Sequence, residues 1–178
     1  EEVRQSSDRQ TVGLLRIFAL YRLLVSATLL LLFRQGGDLT RLGQAAPDTF
    51  DSAIQIYALV NLSILIAVNF MPRNLLGSSR VIGLIVAFDC LAISWFTYLS
   101  DGIDSGLAPL ILVAVAAGAI LVASRVSIFL AALASLALLY EESHLAFEHN
   151  ASFDGVFQAG VFGVLFFTVA LAIHSISR

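Results

Sequence analysis

Apolar residues fall along this chain in six long runs parted by short polar breaks, at about 14–33, 53–71, 81–99, 107–123, 126–140 and 156–174. A helix that crosses the hydrocarbon core of a bilayer needs roughly 20 such residues, or about 17 where snorkelling residues flank it. The pattern therefore predicts an all-α fold, a polytopic transmembrane bundle of six helices. The breaks carry the residues that stop helices: Gly36-Gly37 and Pro47 in the first, Pro72-Arg73-Asn74 and then Gly77 in the second, and Asp101-Gly102 and Gly106 in the third. The stretch from 107 to 140 is broken only by Ser124-Arg125. One helix through all of it, at about 1.5 Å per residue, would be far longer than a bilayer is thick, so a hairpin turning at Arg125 is the cheaper reading. Residues 1–12 are polar and read as a solvated or interfacial arm, and 141–154 as an acidic, solvated loop.

Charge sets the predicted orientation. With the N-terminus inside, the cytoplasmic segments hold Arg4, Arg9, Arg16, Arg73, Arg80, Arg125 and Arg178, against only Arg34 and Arg41 outside. That bias places both termini in the cytoplasm. The acids of 38–51, 101–104 and 141–154 all fall on the other side and agree with it.

Composition then narrows the function. The chain has 178 residues, 58% hydrophobic and 13% charged, where a soluble domain carries about a quarter charged residues. Six spans nearly exhaust it, so 1–178 reads as a single transmembrane domain with no room for a soluble one. A net charge of −3 without a basic patch gives no footprint for nucleic acid. The absence of lysine excludes Schiff-base chemistry. Cys90 is the single cysteine and cannot form an intramolecular disulfide. No nucleophile elbow, paired carboxylate or phosphate-binding glycine loop occurs, so no catalytic residue, cofactor or metal site is expected in these 178 residues.

Two ionisable residues lie inside spans, Arg22 in the first and Asp89 in the third. Each costs about 2.5–3.5 kcal/mol near mid-bilayer on insertion scales and so needs a partner. Arg22 lies eight residues past Leu14 and Asp89 eight past Val81, so both are roughly 12 Å deep and can meet. A packing pair, a signalling switch and a proton or ion path all fit that arrangement. Asn61 and Asn69 lie two turns apart on the second span, where they predict hydrogen bonds across helices or contacts to a partner. Small residues recur at four-residue spacing in three pairs, Ala114 with Gly118, Ala131 with Ser135, and Ala159 with Gly163. Such pairs let helix backbones approach closely, within a bundle or across a dimer. If 141–149 were helical, Glu141, His144 and Glu148 would share a face that could hold a divalent metal or respond to pH, although a solvated loop is the plainer reading.

Several segments resemble a known family. Leu20-Tyr21-Arg22-Leu23-Leu24, Ser105-Gly106-Leu107, the run 110–118, Phe129-Leu130-Ala131-Ala132-Leu133-Ala134 and the acid Asp89 resemble the membrane region of sensor histidine kinases that control type IV pilus expression, the PilS type. The likeness covers most of the chain and is most specific from Ser105 to Ala134. One departure is Asp101-Gly102 where the family tends to carry Gly-Gly. The resemblance implies a multi-pass protein of the bacterial inner membrane with both termini inside. It further implies a cytoplasmic sensor domain, a phosphoaccepting histidine domain and an ATP-binding domain beyond Arg178; His174 is not the phosphoacceptor. Implied partners are the pilin subunit within the membrane and a response regulator reached through the catalytic domains; a second copy of the chain and the lipid bilayer are expected beside them. The leading expectation is a dimeric sensing module that works through its last helix. A small transporter or carrier subunit built on Arg22 and Asp89 is the alternative, although such proteins show broken helices or internal repeats that are missing here. A passive assembly subunit would need neither buried charge.

Overall fold

A computed structural model describes residues 2–36, 41–70, 79–148 and 153–176, with side chains over 13–35, 41–70, 80–147 and 153–176. Among the described residues all regular structure is helical, with no strand. The helices are α1 (Glu2–Gly36), α2 (Pro47–Phe70), α3 (Ser79–Leu99), α4 (Ala108–Leu121), α5 (Ser124–Glu148) and α6 (Asp154–Ile176). Five contain segments long and apolar enough to cross a membrane: Gly13–Gln35, Pro47–Phe70, Arg80–Leu99, Ser124–Phe147 and Asp154–Ile176. The sixth, α4, is apolar but has only 14 residues, about 21 Å of helix against a hydrocarbon core of about 30 Å.

Local chemistry sets the ends. α2 opens on Pro47, whose fixed φ suits the first helical position, with Asp48 against the positive end of the helix dipole. Between α3 and α4 the chain makes a 3-10 turn, Gly102–Ser105, flanked by Asp101 (φ 69°) and Gly106 (φ 76°) in the left-handed region. Aspartate is among the few side chains that visit this region readily. The α4–α5 reversal comes at Val122, which is extended, and Ala123; Ser124 already begins α5, so the turn precedes Arg125.

One expectation is made more definite and one is corrected. Residues 2–12, read as a polar arm, are helical and continuous with α1, which the helix propensity of their Glu, Arg and Gln residues allows. Residues 141–148 are the last two turns of α5, not a loop. The Glu141 and Glu142 carboxylates find partners inside the bundle, as described below, and that removes the reason to place these two in solvent.

The helices pack as two bodies. α3, α4, α5 and α6 enclose the larger core, built around Val86, Ile111, Val115, Leu130, Leu138 and Phe166. Its α5–α6 contact is the most extensive. α1 and α2 form a hairpin against the flank of α3, and a second core of Val25, Leu29, Phe50, Ile54, Phe96 and Leu99 fills that joint. Phe50 and Phe96 meet edge-on at 5.5 Å between ring centroids, a favoured aromatic geometry. The outer faces carry Leu20, Leu24, Leu84, Val164 and other exposed large apolar residues, as expected of surfaces solvated by lipid chains.

One end of the bundle is tied together by its loops. Ala45 N–H donates to Leu99 O at 3.1 Å, Gly43 N–H to Ser100 Oγ at 2.9 Å, and Ile103 N–H to Glu142 Oε1 at 2.7 Å. Arg41 and Asp104 approach at 3.7 Å on the surface of the same end. The α1–α2 loop, the α3–α4 turn and the far end of α5 therefore share one side, the acidic side that the arginine bias places outside. Cysteines introduced singly at Asp48 and Asp104 are expected to react with an impermeant thiol reagent from outside intact cells, and one at Arg125 only after lysis. Cys90 is fully buried and adds no background. Labelling at Arg125 in intact cells would reject the orientation.

Candidate functional site

A buried polar cluster lies where the two cores meet. On α1, Arg22 falls between Phe18, in the larger core, and Val25, in the smaller one. On α3, Asp89 sits in the same layer beside Cys90. Arg22 Nε lies 2.6 Å from Asp89 Oδ2, with both side chains 2% exposed. The Tyr57 hydroxyl on α2 donates to Asp89 Oδ1 at 2.9 Å. Asn61 is buried one turn further along α2, on the same face as Tyr57. The Arg22 guanidinium also stacks over the Phe18 ring, 5.7 Å from its centroid, an attraction that strengthens where water is excluded.

The chemistry of this arrangement follows from what surrounds it. A charge with no counter-charge at this depth is expensive, and the pair plus one strong hydrogen bond makes the carboxylate tolerable. One carboxylate thereby joins three helices, α1 through Arg22, α2 through Tyr57 and α3 through Asp89 itself. Backbone contacts between the hairpin and the four-helix body are few, through α2 with α3 and α1 with α4, so the side chains of the aromatic core at the acidic end and of this cluster carry much of the joint.

The other residues expected from sequence divide. Asn61 joins the cluster. Asn69 makes no cross-helix hydrogen bond among the described residues: it is exposed, and its Nδ2 donates to Leu65 O of its own helix at 2.8 Å. The small-residue pairs are all buried inside the chain's own bundle. A Cβ on Gly118 would meet Val86 Cγ1 at 2.9 Å and Leu130 Cδ1 at 3.1 Å, so α4 lies against both α3 and α5 there. A Cβ on Gly163 would meet Ser135 Oγ at 3.3 Å, which places Ala131, Ser135, Ala159 and Gly163 on the α5–α6 contact. Glu141 and His144 lie on α5; the Glu148 side chain and His149 fall outside the described residues. Among the described residues no group of three metal-ligating side chains converges.

Sequence reasoning missed Tyr57. Counted from Met71 it is fourteen residues along the span, roughly 21 Å from the cytoplasmic edge, against roughly 12 Å for Asp89. The reach of a tyrosine and the tilt of the helices close that gap. Asn61, roughly 15 Å deep by the same count, was the legible signal for this face of α2.

With this geometry in hand, comparison with known proteins is decisive. The family model described as the PilS-like transmembrane domain matches residues 4–178. The chain belongs to that family. It is 33% identical over 172 residues to the sensor protein kinase PilS of Pseudomonas aeruginosa, an alignment that covers 97% of this chain and 32% of that protein. The chain thus spans about a third of the length of this curated relative. No solved structure matches it. The family's name gives six transmembrane passes, so α4 counts as a pass despite its length and the protein is multi-pass.

This PilS-like domain also holds two acids, one half-buried and one buried, against neighbouring elements at its acidic end. Glu141 Oε1 accepts a hydrogen bond from Ser94 Oγ of α3 at 2.7 Å. Glu142, 7% exposed, accepts the Ile103 N–H of the 3-10 turn. Its carboxylate fills the space beside Gly102 and Gly155, where a Cβ on either glycine would run into it. Gly155 is the second residue of α6. Glu142 therefore wedges between the external turn and the start of the last helix. Glu142→Ala is expected to lower stability by roughly 1 kcal/mol, the usual net value of one hydrogen bond, and Glu142→Gln, which keeps an acceptor, by less. Thermal unfolding of the two variants in detergent checks the order; equal losses would mean that the contact with Ile103 contributes nothing.

Proposed function

We propose that this chain is the membrane-embedded sensing portion of a two-component sensor histidine kinase of the bacterial inner membrane. It takes its signal inside the bilayer from a membrane partner and passes it on through α6. Support comes from membership of the PilS-like family and from the name of the Pseudomonas relative, a sensor protein kinase. On the family resemblance the partner is the pilin subunit, the working unit is a homodimer, and the output reaches a response regulator through catalytic domains beyond these residues.

The observation that carries the reading is the charged cluster at the joint between the α1–α2 hairpin and the α3–α6 body. A membrane sensor needs an element with two arrangements of similar energy. A hairpin that meets the body through few backbone contacts, with a buried ion pair at the joint and the output helix in the body, supplies such an element. A transporter gains no comparable support, because among the described residues no spanning helix is unwound in mid-membrane as broken-helix sites require.

The relay is tested in the full-length protein. α6 runs to Ile176 without proline or glycine beyond Gly163, so a shift at its outer end can pass along a continuous helix. Inserting two glycines after Ser177 is expected to leave the protein in the membrane and able to bind ATP, while its autophosphorylation no longer follows the stimulus. Autophosphorylation that still follows the stimulus after the insertion would reject the relay.

A further inference from the structure

A crevice of about 580 Å³ lies between α3 and α5 in their outer halves, within the size range of small-ligand sites. It belongs neither to the buried charge cluster nor to the α5–α6 contact. Leu91 and Leu136, on its lipid side, are 48% and 66% exposed, so it opens sideways toward lipid. Trp95 is sixteen residues into α3 and Glu141 seventeen into α5, roughly 24–26 Å along helices that start at the opposite face, which is the level of the headgroup boundary.

The lining combines two chemistries. Leu91, Leu133 and Leu136 form apolar walls. Toward the acidic end, Trp95, Tyr98, Tyr140 and His144 form an aromatic rim, with His144 between the Tyr98 and Tyr140 rings at 5.9 and 6.1 Å. Glu141 lies among them. Ser94 satisfies its Oε1, but its Oε2 is buried with no hydrogen-bond donor. A buried carboxyl oxygen without a donor is unfavourable, and a ligand that brings a cationic N–H corrects it. Aromatic faces around a carboxylate are the surroundings that attract ammonium groups. No arginine lines the crevice and the chain has no lysine, so no guanidinium or ammonium there selects an anionic headgroup over a zwitterionic one.

We propose that this crevice binds the headgroup of an aminophospholipid, phosphatidylethanolamine, from the leaflet at the acidic end. Its primary ammonium meets Glu141 and the aromatic rim, and an acyl chain lies along Leu91, Leu133 and Leu136. The inference stands apart from the kinase reading, since it needs only the membrane bundle.

The test is native mass spectrometry of the full-length protein, released from micelles containing equimolar phosphatidylethanolamine and phosphatidylglycerol with identical chains. Wild type is expected to retain phosphatidylethanolamine about fivefold over phosphatidylglycerol, the scale of one favourable ammonium contact. Glu141→Gln, which keeps an acceptor for Ser94, and Trp95→Leu, at a position 53% exposed and outside the core, should each bring the two lipids to parity. Asp51→Asn, elsewhere on the same end, should not. Equal retention by wild type, or a preference that survives both crevice variants, would overturn the proposal. A photo-crosslinker at Leu136 separates the remaining occupant: adducts to phosphatidylethanolamine in cells support the site, and adducts only to another protein's span overturn it.

Discussion

Arg22→Ala is expected to destabilise the bundle by about 3–5 kcal/mol, the cost of leaving a buried charge without its partner. The stranded group is Asp89, which would keep only the Tyr57 hydroxyl. Asp89→Ala strands Arg22 in the same way and should cost a similar amount. The exchanged pair, Arg22→Asp with Asp89→Arg, should recover much of what each single exchange loses, and a double-mutant cycle on unfolding in detergent measures that recovery. A double variant equal to the sum of the singles would mean that the two charges do not interact. Replacing both by leucine carries a further distinction. A buried pair exchanged for well-packed apolar residues is often neutral or stabilising by about 1–4 kcal/mol. If the pair only fixes packing, the double leucine variant of the full-length protein should fold and still respond to its stimulus. If the pair is the element that switches, the variant should fold and fail to respond.

Gly163→Leu is the second large change expected. The glycine faces Ser135 across the α5–α6 contact, where a Cβ alone would come within 3.3 Å of the serine Oγ and 3.4 Å of its Cβ. Three further carbons have nowhere to go unless α6 moves away from α5. Overpacking of this kind costs about 1–3 kcal/mol. Val161→Leu adds one carbon on a face 47% exposed and should be close to neutral. The pair of variants separates a general effect of bulk on α6 from an effect of the α5–α6 spacing. In the full-length protein, basal autophosphorylation should change in Gly163→Leu and stay near wild type in Val161→Leu. The same change in both would detach output from that spacing.

The spans were legible because bilayer thickness imposes a length and the apolar runs met it. Arg22 and Asp89 could be paired from the sequence because depth in a membrane is a usable coordinate: equal offsets from the same face put two residues at one level. That coordinate fails where side chains are long or helices tilt, as at Tyr57. It says nothing about which way a side chain faces, and so Asn61 and Asn69 looked alike although one is buried in the cluster and the other bonds to its own backbone. Residues 141–148 misled for a different reason. Their charges suggest solvent, but Ser94 and the Ile103 N–H supply donors to Glu141 and Glu142 from elements 39 to 47 residues away in sequence, a pairing that no local pattern reveals.

The brevity of α4 bears on the lipid as well as on the protein. Its neighbours Arg80–Leu99 and Ser124–Phe147 have 20 and 24 residues, so the hydrophobic belt is notched where the 14 residues of α4 reach the surface through Val113 and Ile120. Acyl chains against that notch must shorten or tilt, at a fraction of a kcal/mol per ångström of mismatch. The deformation is local and one-sided, so its energy depends on how α4 sits relative to α3 and α5, and on the thickness of the surrounding bilayer. Any rearrangement that shifts α4 therefore couples the protein's conformational balance to acyl-chain length.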